Sequence, residues 1–250
     1  MSTPTDPRQI PLSTAYNARE LGGLPTPDGV TAAGVLIRCD VLSMLTEEDL
    51  AALRRAKLSA VIDLRGPEIT DKVKSAFLDS REVRYLNIPL LTDPKRLRDR
   101  LGGMELHEAF LHHMGDLYCA ILDCEGEAFA AVFAALREET EHGAVAFHCT
   151  NGKDRTALIA ALCLELAGVA EEEIVADYAQ SEARLLLKWN ELPEGCPVRP
   201  FGIMKTPAAA MEQTLRYLKE RWGGAEGYLT ACSVPKETIA LLRRRLTAQP

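Results

Sequence analysis

The chain has no long apolar run. Its longest, Ala157 to Ala170, contains Glu165 and falls short of the roughly 20 residues that span a bilayer. Its first residues, Met1 to Ile10, are polar and proline-rich and lack the charged start and apolar centre of a cleavable signal peptide. No Gly-X-Y or heptad repeat runs through it, which excludes collagen-like and coiled-coil classes. Positive charge is not in excess: 29 basic residues stand against 36 acidic ones, a net charge of −7. Nothing global therefore attracts nucleic acid or an anionic membrane, and neither nucleic-acid binding nor stable membrane insertion is expected. The seven cysteines are odd in number and irregular in spacing, unlike a disulfide framework. A reducing cytoplasm is the expected compartment, with secretion without a cleaved signal peptide left open.

What is present is an ordinary globular composition: 250 residues, 47% hydrophobic and 26% charged, with no internal repeat and no dividing linker. Residues 1–15, with Pro4, Pro7 and Pro11, read as an irregular N-terminal arm, and 16–250 as a single domain. Asp28-Gly29 signals a hairpin turn. Short apolar runs at 35–38, 59–64, 83–88 and 144–147 predict buried strands. Between them, 46–56 predicts a helix with Thr46 as N-cap and Asp49 as its capping-box partner, and 68–78 a second helix. Residues 104–123 and 126–141 predict helices broken near Gly126. Residues 156–167 predict an apolar helix closed by Gly168. A charged helix over 171–190, a proline-rich loop over 191–206, and helices over 207–222 and 235–247 complete the chain. Strands interleaved with helices predict an α/β fold around a central sheet.

The chemistry concentrates in His148-Cys149-Thr150-Asn151-Gly152-Lys153-Asp154-Arg155-Thr156, which follows a strand and opens a helix. A loop at a helix N-terminus turns backbone N–H groups inward, and the helix dipole adds positive potential there. Gly152 lets the backbone approach an anion closely, and Arg155 can fork two hydrogen bonds to phosphate oxygens. The same field favours a thiolate at Cys149; comparable sites lower a cysteine pKa from about 8.5 to roughly 3.5–7.5. Such a loop suits in-line displacement on phosphorus through a cysteinyl-phosphate. Thr150, Asn151 and Gly152 line the cradle, Lys153 adds a point charge at its rim, and Thr156 is placed to hydrogen-bond the sulfur. His148 orders the loop backbone rather than acting as a base, since a thiolate needs none. No metal or other cofactor is required.

The loop resembles the signature of the bacterial atypical tyrosine/lipid phosphatases. Three other stretches agree. Residues 17–23 resemble that family's Asn-aromatic-Arg-Asp-Leu-Gly-Gly opening, 61–65 its Asp-Leu-Arg strand end, and 224–229 its Gly-x-x-x-Tyr-Leu element. Ala18, Glu20 and Cys39 depart from the usual aromatic, Asp and Ser, which bears on subfamily rather than chemistry. The resemblance implies a cysteine-dependent tyrosine-phosphatase-like fold, with a central sheet of about four to five mostly parallel strands flanked by helices. It implies a protein-tyrosine phosphatase, with dual-specificity and phosphoinositide activity open. Phosphorylated proteins and phosphoinositides are thus its expected partners. Residues 94–125 and 175–205 are candidates for helices over the pocket.

A leaving alkoxide or phenoxide needs a proton, and the chain has no Trp-Pro-Asp sequence. The resemblance implies that Asp154 supplies it. Asp63 at a strand end and Asp93 before Pro94 are alternatives. Asp154 also reads as an ionised carboxylate that bonds loop N–H groups, and Asp63 as the partner of an arginine such as Arg19, bracing the loop. Lys153 is the loop lysine of phosphoinositide phosphatases, but Thr150 stands where a second basic residue often follows the cysteine. The run Lys95, Arg96, Arg98 and Arg100 reads as a solvated face or as charge near a phospholipid headgroup. His107, His112 and His113 lack the acid or cysteine of a metal set. Cys39, Cys119, Cys124, Cys196 and Cys232 are candidates to shield Cys149 through a disulfide, Cys163 reads as core, and Tyr178 and Trp189 as packing. Two other functions compete: a catalytically inactive phospho-ligand binding module, and a rhodanese-like sulfurtransferase, which the Lys-Asp-Arg-Thr ending disfavours.

Overall fold

The computed structural model describes residues 6–191 and 205–248, with side chains as far as 187 in the first stretch. The expected loop over 191–206, Cys196 and the Trp189 side chain thus lie largely or wholly outside the described residues.

Among the described residues a five-stranded sheet runs in the order β1 (Arg19–Glu20), β4 (Leu36–Cys39), β7 (Ala144–His148), β5 (Leu58–Asp63), β6 (Arg84–Asn87). The last four strands pair in parallel and β1 joins antiparallel, so the expected mostly parallel sheet is present. A separate ribbon pairs β2 (Pro25–Thr26) with β3 (Gly29–Val30) around Pro27-Asp28. Alternate residues leave a strand on opposite faces, and both faces are covered. Ile37, Cys39, Val61, Ala144 and Ala146 pack with Ala52 and Leu53 of α1 (Glu47–Arg55) and with Ile10, Leu12 and Ala15 of the arm. Leu36, Ala60, Ile62, Val145 and Phe147 face the larger layer. That layer comprises α5 (Met114–Cys124), α6 (Gly126–Glu139), α7 (Arg155–Leu166), α8 (Glu171–Glu191), α9 (Ala208–Trp222), α10 (Ala225–Ala231) and α11 (Lys236–Thr247). Burial on two sides explains why the central strands read as continuous apolar runs.

Local signals mostly act as read. Thr46 and Asp49 form the reciprocal capping box of α1. Asp49 also accepts from Ser13 and Thr14, so the arm, without helix or strand over its described part, is docked on α1. The helix expected over 68–78 shrinks to α2 (Pro67–Thr70). Beyond it the backbone serves other partners: Ala76 N–H bonds Leu42 O, and Ser75 Oγ takes the N–H of Phe77. The helix expected over 104–123 divides at His113 into α4 (Leu106–His112) and α5. The short helix α10 was not anticipated, while α3 (Pro94–Arg100) falls within the 94–125 stretch expected to hold helices. The basic run lies on α3, where Arg98 pairs with Glu105, and Arg100 with Asp123 and Tyr217. Two of the four charges in the run, Arg98 and Arg100, are thus matched within the fold. Within 94–125, α5 is no loose cover, since Leu117, Tyr118 and Ile121 are fully buried.

Candidate active site

The loop that carries Cys149 leaves the central strand β7 and enters α7. Parallel sheets place such loops at the carboxyl ends of their strands, and here the ends of β4 and β5 flank the loop on either side.

The loop's carbonyl groups are each drawn outward by a named donor. Leu64 N–H bonds His148 O at 2.8 Å, and Val41 N–H bonds Thr150 O at 3.1 Å. His148 Nδ1 lies 2.8 Å from Cys149 O, which fixes that nitrogen as the donor. Asn17 Nδ2 reaches Asn151 O at 2.9 Å and Gly152 O at 3.1 Å, and Arg38 adds a bond to Gly152 O at 2.9 Å. In a trans peptide the N–H points opposite to the C=O. The amides that follow these carbonyls therefore turn to the inner side of the loop. Gly152 makes the bend with φ +65°, and a Cβ there would meet Cys39 O at 2.2 Å.

Behind the loop lies a buried ion network. Asp177 of α8 takes Arg8, Arg19 and Arg38 at 2.9, 3.0 and 2.5 Å. Arg19 also bonds Asn17 Oδ1 at 2.6 Å, so the two clamps on the loop carbonyls are held by one carboxylate. Arg184 and Arg8 share Asp6. In this network Arg8, Arg19, Arg38 and Arg184 stand against Asp6 and Asp177, and the buried Asp40 beside it accepts the Asn17 N–H at 3.0 Å.

Cys149 is buried, and burial alone raises a thiol's pKa. Burial is the largest influence, but the Arg155 guanidinium and the Thr156 hydrogen bonds together outweigh it and the charge of Asp154, so the thiol lies below its ordinary value. Thr156 Oγ1 accepts the Cys149 N–H at 2.9 Å, and its own hydrogen is free to face the sulfur. Arg155 is steadied by Leu64 O at 3.2 Å. His148 is fully buried, and that desolvation, against the pull of Asp63, keeps its pKa below the usual value. Cys39 is a free thiol in the next strand, and burial pushes its pKa well up.

The carboxylates sort clearly. Asp63 does not pair with Arg19. Burial would raise its pKa, but Arg65 bonds it through Nε and through NH2 at 2.6 Å, Tyr85 OH adds a bond at 2.9 Å, and the net shift is downward. Arg19 goes to Asp177 instead, because α8 lies behind β1 and β4. Asp93 is exposed and caps α3 through Arg96 N–H. Asp154 lies within the loop, and its Oδ1 accepts from Tyr118 OH at 2.6 Å and Lys153 Nζ at 2.9 Å. It thus bonds side chains rather than loop amides. Lys153 is not at a rim: it is 3% exposed, covered by Met114 Sδ at 3.7 Å and Lys205 O at 3.3 Å. Among the described residues no group of three His, Cys, Asp or Glu is arranged to hold a metal. The described cysteines are unpaired.

Sequence reasoning missed Asn17 and Arg38 as carbonyl clamps, Asp177 as their anchor, and Tyr118. Asp177 carried a usable signal. It falls beside the buried stripe Ile174, Tyr178, Ser181, Leu185 of α8, where a lone carboxylate demands a cation.

The chain matches the model of a family described as the tyrosine phosphatase family over residues 10–248. It is 31% identical over 227 residues to a tyrosine-protein phosphatase of Nostoc commune, covering 86% of this chain and 74% of the relative. It is 26% identical over 270 residues to the triple specificity protein phosphatase PtpB of Mycobacterium tuberculosis, covering 93% of this chain and 96% of the relative.

Proposed function

The chain belongs to the tyrosine phosphatase family, and from that premise we propose that it hydrolyses phosphotyrosine in proteins through a cysteinyl-phosphate on Cys149. The observation that carries this reading is the outward engagement of the carbonyls from His148 to Gly152. Amides preorganised around a tetrahedral dianion need no rearrangement as charge shifts in the transition state. Thr150, Asn151, Gly152 and Lys153 supply those amides, and Arg155 forks onto two equatorial oxygens.

The Cys149 thiolate attacks phosphorus in line. The S–P bond forms as the P–O bond to the leaving group breaks, and Asp154 delivers its proton to that oxygen. Water then attacks the thiophosphate, returns a proton to Asp154 and releases phosphate, with Thr156 stabilising the departing thiolate. Asp154 is preferred to Asp63 and Asp93 because its described donors all reach Oδ1, whereas Arg65 and Tyr85 engage both oxygens of Asp63 and Asp93 caps an exposed helix. His148, as a neutral Nδ1–H donor, orders the loop. Asp63 acts as a brace through Arg65 and Tyr85, and Arg19 through Asn17.

The name of the mycobacterial relative, a triple specificity protein phosphatase, supports activity beyond phosphotyrosine, and the proposal extends to phosphoserine/threonine and phosphoinositides. Residues 16–250 act as one phosphatase domain in this reading, in the cytoplasm. No described helix is long and apolar enough to cross a membrane.

Phosphate release from p-nitrophenyl phosphate and from a phosphotyrosine peptide, in the presence of chelator, tests the proposal. Wild type turns both over. Cys149→Ser loses all measurable turnover yet retains peptide binding. Binding without turnover in the wild type refutes it.

A further inference from the structure

Two phenols lie in the apolar layer beside Asp154, and the mechanism above uses neither. Tyr118 of α5 and Tyr178 of α8 are each at most 1% exposed. Their rings meet edge to face, with centroids 6.0 Å apart. A buried phenol needs a hydrogen-bond partner, and these two find each other at 2.9 Å. Tyr118 OH also lies 2.6 Å from Asp154 Oδ1. A carboxylate only accepts, so Tyr118 spends its one proton there, and Tyr178 is the donor of the phenol pair. The chain of bonds therefore has a direction, from Tyr178 to Tyr118 to Asp154.

We propose that Tyr118, backed by Tyr178, is a positioning residue for the Asp154 acid, holding Oδ1 so that the transferable proton sits on Oδ2. The inference rests on reading Asp154 as the acid. Lys153 Nζ occupies Oδ1 as well, at 2.9 Å, and no donor among the described residues engages Oδ2. When Oδ2 gives its proton to the leaving oxygen, the new carboxylate charge meets two donors already in place. The donors persist at working pH, because burial and the charge of Asp154 push the Tyr118 phenol well up, and burial does the same at Tyr178. The groups that face Asp154 are Lys153, Cys149 and Arg155 of its own loop and Tyr118 of α5. Behind them stand Tyr178 and Glu182 of α8.

The test compares Tyr118→Phe and Asp154→Asn on two substrates. One is a phosphotyrosine peptide, whose leaving phenol needs a proton. The other is difluoromethylumbelliferyl phosphate, whose leaving phenol is acidic and needs almost none. Asp154→Asn is expected to lose on the order of 100-fold in kcat on the peptide and far less on the activated ester. Tyr118→Phe is expected to lose about tenfold on the peptide and no more than about twofold on the ester, a fraction of the acid's contribution. Its KM on the peptide should stay close to that of wild type. Equal losses on both esters, or a loss that falls on KM rather than kcat, overturn the inference. If Asp154→Asn keeps its leaving-group dependence in that event, the acid reading survives. If Asp154→Asn loses both substrates equally, the acid reading falls and takes the inference with it. Should Tyr118→Phe not fold, Tyr178→Phe carries the same comparison with a smaller loss in the same direction, and the absence of any leaving-group dependence there overturns it.

Discussion

At the residue scale the site depends on positions with almost no tolerance. Gly152 combines a left-handed φ with a Cβ direction that runs into the carbonyl of Cys39. The backbone conformation alone costs a side chain about 1–2 kcal/mol, and the collision forces the loop off β4 and out of its clamps. Gly152→Ala is expected to cut kcat/KM on p-nitrophenyl phosphate by on the order of 100-fold, the scale of lost oxyanion donors. Wild-type turnover in that variant would mean that the loop does not need this path. Cys149 is tuned by opposition: burial raises its pKa, and Arg155 together with the Thr156 hydrogen bonds prevails against it. A lowered thiol pKa places reactivity at pH values where an ordinary cysteine, near 8.5, is still protonated. Alkylation by iodoacetamide should therefore have its midpoint below that of a free thiol and move upward in Arg155→Met. A wild-type midpoint at or above about 8.5 contradicts the assignment.

At the element scale α8 governs the loop from behind. Successive residues serve different ends of the site, Asp177 through Arg19 and Arg38, and Tyr178 through Tyr118. Burial would raise the Asp177 pKa, but three guanidiniums hold it far below the usual carboxylate range. Removing one partner of a buried ion set costs about 3–5 kcal/mol. Asp177→Asn should lower the urea-unfolding free energy by that amount near pH 7 and reduce turnover, since the Arg38 and Asn17 clamps lose their anchor. The folded-state pKa is depressed, so the stabilisation is fully present above the unfolded value of about 3.9 and fades as pH falls through the depressed one. The gap between wild type and variant should narrow only in acid, below about pH 4. A gap that closes between pH 5 and 8 would point to another group.

At the scale of the whole molecule, covering the sheet on both faces leaves the carboxyl ends of β4, β7 and β5 to converge on one loop. That loop and the interleaved strands were legible in the sequence, because each is a local pattern: a strand, a glycine bend, and a helix start within a few residues. The capping box of α1 was legible for the same reason. The truncated helix at 67–70 was not, because Ala76 bonds a strand loop far away in sequence. Nor was the partner of Arg19, which is 158 residues distant on α8. The sequence by itself determined which groups share one loop, since a thiol, a guanidinium and a glycine at fixed spacing stay together whatever packs around them. Tertiary structure alone decided which carboxylates are spent on structural pairs, that Lys153 is covered, and which donors draw the loop carbonyls outward. Those outcomes depend on distances between segments remote in the chain, and such distances are fixed only when the layers pack.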